Sequence, residues 1–163
     1  MNVSAHDVGL EALDAIQGVD TLCLFVGEDE RPLRGVAGFV DWRLCGALSR
    51  VLIEKFFTGA PGDQLLFPTE GRLPMARIFV VGIGKGPELT PESLAKTLSA
   101  AATMLNRAQA ASVALEVPGA GRLADSARAK ALEKNFLAEL KAGRVAVVAE
   151  KAFKSLVTVS GKP

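Results

Sequence analysis

The segment that most constrains the fold is an apolar strand that runs through glycines into the start of a helix. ARIFVV, residues 76–81, is apolar and of strand length, and three glycines follow within five positions. Thr90, Pro91 and Glu92 then supply an N-cap, a proline at the first helical position and an acid near the positive helix end. The sequence therefore predicts a strand over 76–81 and a helix that extends to about Arg107.

The rest of the chain shows the same alternation of strands and helices. Short apolar runs predict five more strands, and apolar residues at three- and four-residue steps predict two more helices. The predicted strands are Val19–Val26, Gln64–Phe67, Ser112–Val117, Arg144–Ala149 and Phe153–Val159. One predicted helix runs from Asp41, as N-cap, to shortly before Gly59, and the other runs from about Ala124 to Ala142.

This order of elements predicts an α/β fold with three layers, α/β/α. Strands separated by long helices favour a mixed, mostly parallel sheet with right-handed crossovers and helices on both faces. The short link between the last two predicted strands adds an antiparallel edge. We expect a single domain over residues 1–163, with its core at about 19–160 and an N-terminal extension, 1–18, that carries a short helix near Gly9–Ile16.

Composition and charge disfavour several kinds of partner. The 19 basic and 18 acidic residues leave a formal charge of +1, and they are dispersed rather than gathered into a stripe that would follow a nucleic acid. The N-terminal segment lacks the apolar run of a signal peptide, and no window reaches the ~18 apolar residues of a membrane span. Cys23 and Cys45 lack CxxC spacing, so we expect buried thiols. We therefore expect a cytoplasmic protein with no membrane or nucleic-acid partner.

Two loops that contain glycines follow predicted strands, where open α/β sheets gather ligands. If the two strands are neighbours, the loops face one crevice, in which Lys85 and Arg122 would complement an anion. The ligand-binding candidates are Gly82, Gly84, Lys85 and Gly86 in the first loop, and Gly119, Gly121 and Arg122 in the second. Tight turns are the alternative, because glycine is the ordinary residue at positive φ and neither GxGxxG nor GxxxxGK[ST] is satisfied. Both interpretations stay open.

The sequence predicts no catalytic residue, no metal site and no cofactor. His6 is the only histidine, and we expect it at the surface of an unanchored N-terminal segment. The consecutive acids Glu28–Glu30 cannot all face one metal from a regular strand, so we expect them in a solvated loop. Trp42, Phe56 and Phe57 are expected to pack in the core or at helix ends.

Five segments carry an ordered set of features: DTLCLFVGED, DWRLCGALSRVL, FFTGAPGDQLLFP, RIFVVGIGKGPELTPESLAKTLSAAA and SVALEVPG. Over about residues 19–160, the features follow one another in a fixed order. A first strand is followed by a helix with a central glycine, then by an F-x-G-x-x-G turn, and then by a strand that ends V-G-[LI]-G-K before an alanine-rich helix. This order resembles the N-terminal domain of the leucyl aminopeptidases, the cytosolic metallo-aminopeptidases. The resemblance implies a fold similar to macro domains.

The resemblance carries over no catalytic residue. The family's two-metal chemistry lies in a separate, larger C-terminal domain, and only Gly121-Arg122-Leu123 is similar to the end of that domain's N-T-D-A-E-G-R-type segment. A more distant similarity to ligand-binding macro domains places Leu33–Gly38 at their glycine-rich loop, which makes Gly35 and Gly38 weaker ligand-binding candidates. Residues 27–30 put acids where those domains carry an asparagine-rich segment, and these acids would repel a diphosphate at close range.

We therefore expect a non-catalytic, stand-alone domain that acts in protein–protein interaction, assembly or regulation, as a homo-oligomer or with a protein partner. The resembled family uses its N-terminal domain to help organise a multi-subunit assembly. One alternative is a macro-like module that binds a nucleotide or another phosphate-bearing small molecule at the two glycine loops. Another is an accessory part of a metallo-aminopeptidase. In each case we expect the isolated chain to lack enzyme activity.

Overall fold

A computed structural model describes the backbone of residues 1–160 and the side chains of residues 1–157. Six strands form one sheet in the order β1-β6-β5-β2-β4-β3, in which only β3 is antiparallel to its neighbour. The strands are β1 (Asn2–His6), β2 (Thr21–Val26), β3 (Gln64–Pro68), β4 (Arg77–Gly82), β5 (Ser112–Leu115) and β6 (Arg144–Val148).

Six α-helices cover the two faces of the sheet, which confirms the predicted three-layer α/β/α fold. The helices are α1 (Leu10–Asp14), α2 (Gly35–Arg43), α3 (Ala47–Ile53), α4 (Pro91–Arg107), α5 (Asp125–Leu132), which continues as a π-helical segment over Glu133–Leu137, and α6 (Lys151–Ser160). One apolar cluster joins α4, α5 and α6 to the sheet, and a second joins α1, α2 and α3 to its other face. Among the residues described, no helix is long and apolar enough to cross a membrane.

The helix predicted from local signals alone, α4, agrees with the structure at both ends. The Thr90 side chain accepts from the Ser93 amide, and the Ser93 hydroxyl accepts from the Thr90 amide, so the two residues form a capping box. Its apolar residues, which recur at three- and four-residue steps, are fully buried: Leu94, Leu98, Ala101, Ala102 and Leu105. Small alanine side chains let this helix approach the sheet closely.

The two ends of the chain differ from the prediction. Asn2–His6 is not an unanchored extension but the edge strand β1, in which His6 pairs with Val148 of β6. Phe153–Val159, predicted as a strand, lies within α6. The short apolar run there suggested a strand, but Phe153 and Val157 are one helical turn apart and both are buried against the α4 and α5 side. The antiparallel edge predicted at this end is instead formed by β3.

The segment predicted as one helix from Asp41 to shortly before Gly59 contains two helices, and the first of them, α2, begins earlier, at Gly35. Cys45 and Gly46 have φ of 56° and 77°, and this left-handed pair separates α2 from α3. Asp41 lies inside α2, and its carboxylate accepts from the amide and the hydroxyl of Ser49 in α3. Cys23 is buried as expected, whereas Cys45, at the break, is exposed.

The predicted packing of the aromatic residues is correct for only one of three. Phe57 is buried. Trp42 is 71% exposed because it lies on the outer side of α2, whose opposite side covers the sheet, and Phe56 is 80% exposed in the turn after α3. These exposed side chains are therefore part of the surface rather than of the core.

Candidate functional site

A cleft of about 360 Å³ opens at the carboxyl ends of the central strands. It is formed by the loops that follow β2, β4 and β5, together with the start of α2. Strand β2 lies between β4 and β5, so the two glycine loops are not on neighbouring strands. They nevertheless meet, since a Cβ built on Gly86 would lie 2.6 Å from Cζ of Arg122. The crevice inferred from the sequence thus exists, with the β2 loop as its third wall.

Only some of the predicted residues line this cleft. Gly35, Gly86, Gly119 and Arg122 are among its lining residues. The remaining candidate glycines have other neighbours. Gly121 faces open space, Gly38 lies against the Leu33 carbonyl, and Gly82 and Gly84 lie against residues 59–61. Lys85 precedes a short 3₁₀ turn over Gly86–Glu88 and is not a lining residue. Whether any of these residues binds a ligand stays a prediction.

Gly82 and Gly84 allow two chain segments to pack very closely. A Cβ on Gly82 would lie 2.0 Å from the carbonyl oxygen of Ala60, so no side chain fits there. The Gly84 amide donates to the Gly59 carbonyl at 2.8 Å, with Gly84 at φ 77°. These contacts join the end of β4 to the turn before β3.

Three backbone amides at the cleft donate to carboxylates of the protein itself. The Val36 amide, at the start of α2, donates to Oε2 of Glu116 at 2.8 Å. The Gly86 amide donates to Oδ1 of Asp29 at 2.9 Å, and the Gly27 amide donates to Oε2 of Glu30 at 3.2 Å. The loop of acids predicted to be solvated therefore turns two of its side chains onto backbone donors.

Burial, neighbouring charges and hydrogen bonds shift the pKa values of these acids. Burial raises the pKa of Glu116, and the nearby carboxylates of Glu30 and Glu150 raise it further, against the hydrogen bond from Val36. Burial also raises the pKa of Glu30. The hydrogen bond from the Gly86 amide lowers the pKa of the exposed Asp29. The cleft therefore holds two half-buried acids whose pKa values are raised and one exposed acid whose pKa is lowered.

Opposite charges are nearly balanced along the cleft wall. Four carboxylates and three guanidinium groups line it: Asp29, Glu30, Glu116 and Glu150, and Arg31, Arg34 and Arg122. The Arg31 guanidinium donates to the carbonyls of Gly27, Glu30 and Thr58, and so fixes the loop after β2. Among the residues with described side chains, no three or more His, Cys, Asp or Glu side chains are placed to hold a metal ion together.

Arg128 of α5 holds the start of the second glycine loop, at Val117 and Pro118, through hydrogen bonds. Its side chain is only 4% exposed, and it donates to the carbonyls of Val117 and Pro118 and to Oδ1 of Asp125. Sequence analysis identified neither Arg128 nor Glu116. An acid directly after a buried strand was the available signal for Glu116, whereas Arg128 looked like one of many exposed helical arginines.

An apolar surface lies beside the cleft on α2. We call it the Trp42 surface and define it by Leu10, Leu33, Phe39 and Trp42, which line one shallow groove with Gly38. A second shallow groove, with Asp41, Arg43 and Cys45, also borders Trp42 and shares Leu10 and Gly38 with the first. The exposed indole therefore borders both grooves.

Solved structures with the same architecture include leucine aminopeptidases and macrodomains. A mutant of tomato leucine aminopeptidase matches 98% of this chain and 35% of its own, with TM-score 0.63 and 21% identity. A macrodomain of Oceanobacillus iheyensis, solved with ADP, matches 94% of this chain and 86% of its own, with TM-score 0.67 and 17% identity. At these identities the similarity shows the fold.

Sequence comparison supplies the family. A probable cytosol aminopeptidase of Geobacter sp. (strain M21) is 39% identical over 105 residues, which cover 63% of this chain and 21% of the relative. The chain thus spans about a fifth of that relative's length. The model of the cytosol aminopeptidase family, N-terminal domain, matches residues 22–140. The chain belongs to the cytosol aminopeptidase family, in which it corresponds to the N-terminal domain.

Proposed function

We propose that this protein is a non-catalytic assembly domain of the cytoplasm that associates with a second copy of itself through the Trp42 surface. The observation that carries the proposal is the 71% exposure of Trp42 beside Phe39, which is 38% exposed. Contiguous exposed apolar side chains mark interaction sites, and tryptophan is enriched among the residues that contribute most to binding.

The shape of the Trp42 surface favours a symmetric contact. An exposed side chain beside a groove suits self-association, because two copies related by a two-fold axis can each place that side chain in the groove of the other. The rim is polar, as expected for an interface: Arg43 forms an ion pair with Asp14 at 2.8 Å, and Arg34 lines the first groove. Membership of the cytosol aminopeptidase family agrees with a role in assembly.

Sedimentation velocity over a range of concentrations tests this proposal. We expect the wild-type chain to form a dimer or a larger oligomer and Trp42→Ser to weaken association by at least about 30-fold, since hot-spot residues contribute about 2 kcal/mol or more. Ile53→Ser is the matched control, because Ile53 is 76% exposed on α3 but lies outside the Trp42 surface. A strictly monomeric wild type, or a Trp42→Ser variant that associates normally, would contradict the proposal.

A small-molecule module is the second candidate, favoured by the meeting of the two glycine loops at one cleft. Its ligand would be a nucleotide or another phosphate-bearing compound, and macrodomains of the same fold have been solved with ADP. Thermal melts with ADP-ribose, nucleotides and inorganic phosphate test it, because a ligand that binds the folded state raises the melting temperature with dose. Arg122→Ala should remove such a shift. Unchanged melts with every compound would count against this candidate.

An accessory role in a metallo-aminopeptidase is the third candidate, and it rests on the family match. A co-purified or separately encoded catalytic chain would then supply the hydrolysis. Assays with a leucyl chromogenic substrate and manganese or zinc, with and without that chain, test this role. Activity that depends on adding the 163-residue chain would support it.

A further inference from the structure

We propose that Asp29 and Glu116 are internal substitutes for an anionic ligand, and that they determine specificity by keeping the cleft closed to phosphate groups. This inference is independent of self-association through the Trp42 surface. It depends on where the two carboxylates lie, since each accepts a hydrogen bond from a backbone amide that starts a helical segment.

The two amides occupy positions that are ordinarily suited to anions. Val36 is the second residue of the nine-residue helix α2, so its N–H has no partner within the helix and lies at the positive end of the helix dipole. Gly86 begins the 3₁₀ turn after β4, and its N–H also points away from that turn. Glu116 and Asp29 occupy these donors at 2.8 Å and 2.9 Å.

The contact made by Glu116 is closely packed. A Cβ on Gly35 would lie 2.6 Å from Oε2 of Glu116, so the carboxylate rests directly against the start of α2. Gly35 has φ 56°, a conformation that glycine adopts readily. A phosphate group could reach the Val36 amide only if Glu116 moved away or tolerated a second negative charge at contact distance.

The hydrogen bond between Asp29 and the Gly86 amide lies near cationic side chains that could also bind an anion. The Arg122 guanidinium lies against Gly86, and both Arg122 and Lys85 interact favourably with the Asp29 carboxylate. Removing the charge of Asp29 therefore leaves a donor amide and two cationic side chains around one position. Such groups are the ordinary partners of phosphate.

Calorimetric titration with inorganic pyrophosphate and with ADP tests the inference. The proteins compared are the wild type, Asp29→Asn, Glu116→Gln and the double variant, all of which keep side-chain shape and an acceptor oxygen for the amide. We expect weak or undetectable binding to the wild type and affinity at least about tenfold higher for the double variant, as expected when a charge repulsion is removed at close range.

Glu150→Gln is the matched control, because Glu150 lines the same cleft and its substitution changes the net charge by as much as either single variant does. It should leave affinity nearly unchanged if the negative charges held on the two amides are what exclude phosphate. Amide NMR spectra supply a second measurement: pyrophosphate should shift the Val36 and Gly86 signals in the double variant and leave them in place in the wild type. If the double variant does not fold, Asp29→Asn still decides, since Asp29 is exposed.

Three results would overturn the inference. Tight binding of pyrophosphate or ADP to the wild type, weakened by the substitutions, would make the carboxylates part of a ligand site and would support the small-molecule candidate. Failure of every folded variant to bind would show that the carboxylates are not what excludes anions. An equal gain in affinity from Glu150→Gln would show that the effect comes from net charge alone.

Discussion

The guanidinium of Arg128 lies over the ring of Phe153, with Cζ 4.3 Å from the ring centroid, and so joins α5 to α6 directly beneath the second glycine loop. The same group holds the carbonyls of Val117 and Pro118, so one side chain connects two helices and a loop. Buried arginine is tolerated here because its donors are satisfied and its remaining face is stacked.

Arg128→Lys should therefore destabilise the fold by about 2–3 kcal/mol, since lysine cannot replace the fork of hydrogen bonds or the stacking. Urea unfolding measures the loss. Arg107→Lys, at an exposed position near the end of α4, is the control and should change stability by less than about 0.5 kcal/mol. Equal stability of the two variants would contradict this account of Arg128.

The pH dependence of stability should show the cost of ionising Glu116. Its pKa is raised by burial above the ordinary value of 4.5, so between 4.5 and the folded-state pKa the folded protein binds more protons than the unfolded chain. Stability then falls as pH rises through that window. The free energy of unfolding of Glu116→Gln should fall less than that of the wild type between about pH 4.5 and pH 7, as measured by urea unfolding at each pH.

Asp63 provides a contrast for the same experiment. Hydrogen bonds from the hydroxyl and amide of Thr58 lower its pKa below 3.8, so its contribution is present above that value and lost as pH falls below it. Asp63→Asn should thus change the acid limb of the profile and leave the slope above pH 4.5 as it is. A slope that is the same in wild type and Glu116→Gln would contradict the assignment to Glu116.

Gly82→Ala should be severely destabilising because its new methyl group would meet the Ala60 carbonyl at 2.0 Å. We expect a loss of about 3 kcal/mol, at the upper end for overpacking, measured by chemical denaturation. Gly143→Ala serves as control, since nothing lies within 4 Å of a Cβ there, and it should change stability by less than about 0.5 kcal/mol. Tolerance of Gly82→Ala would show that the 59–61 turn moves freely.

Thr90→Ala should cost about 1 kcal/mol, because it removes the acceptor for the Ser93 amide and half of the capping box. Thr103→Ala, on the exposed side of the same helix, should be neutral or slightly stabilising, since alanine is the better helix former. Thermal or urea denaturation of the two variants compares them. Similar losses at both positions would mean that the cap contributes little.

Elements specified by short-range interactions were predictable from the sequence by itself. The start of helix α4 is indicated by Thr90, Pro91 and Glu92, and its buried stripe by the spacing of its apolar residues, so both could be derived without knowledge of the fold. The apolar runs of β2 and β4 and the alternation of strands with helices likewise determined the α/β class. All of these signals act within about four residues, where capping and periodicity operate.

Only the tertiary structure decided features that depend on residues far apart in the chain. β1 became a strand because β6, more than a hundred residues later, supplies its hydrogen-bonding partner. Glu116 accepts from an amide 80 residues away, and Phe153 became helical where α5 offers Arg128 and an apolar face. An edge strand, a half-buried acid and a stacked arginine have no distinctive local pattern, since their free energy comes from partners that folding brings together.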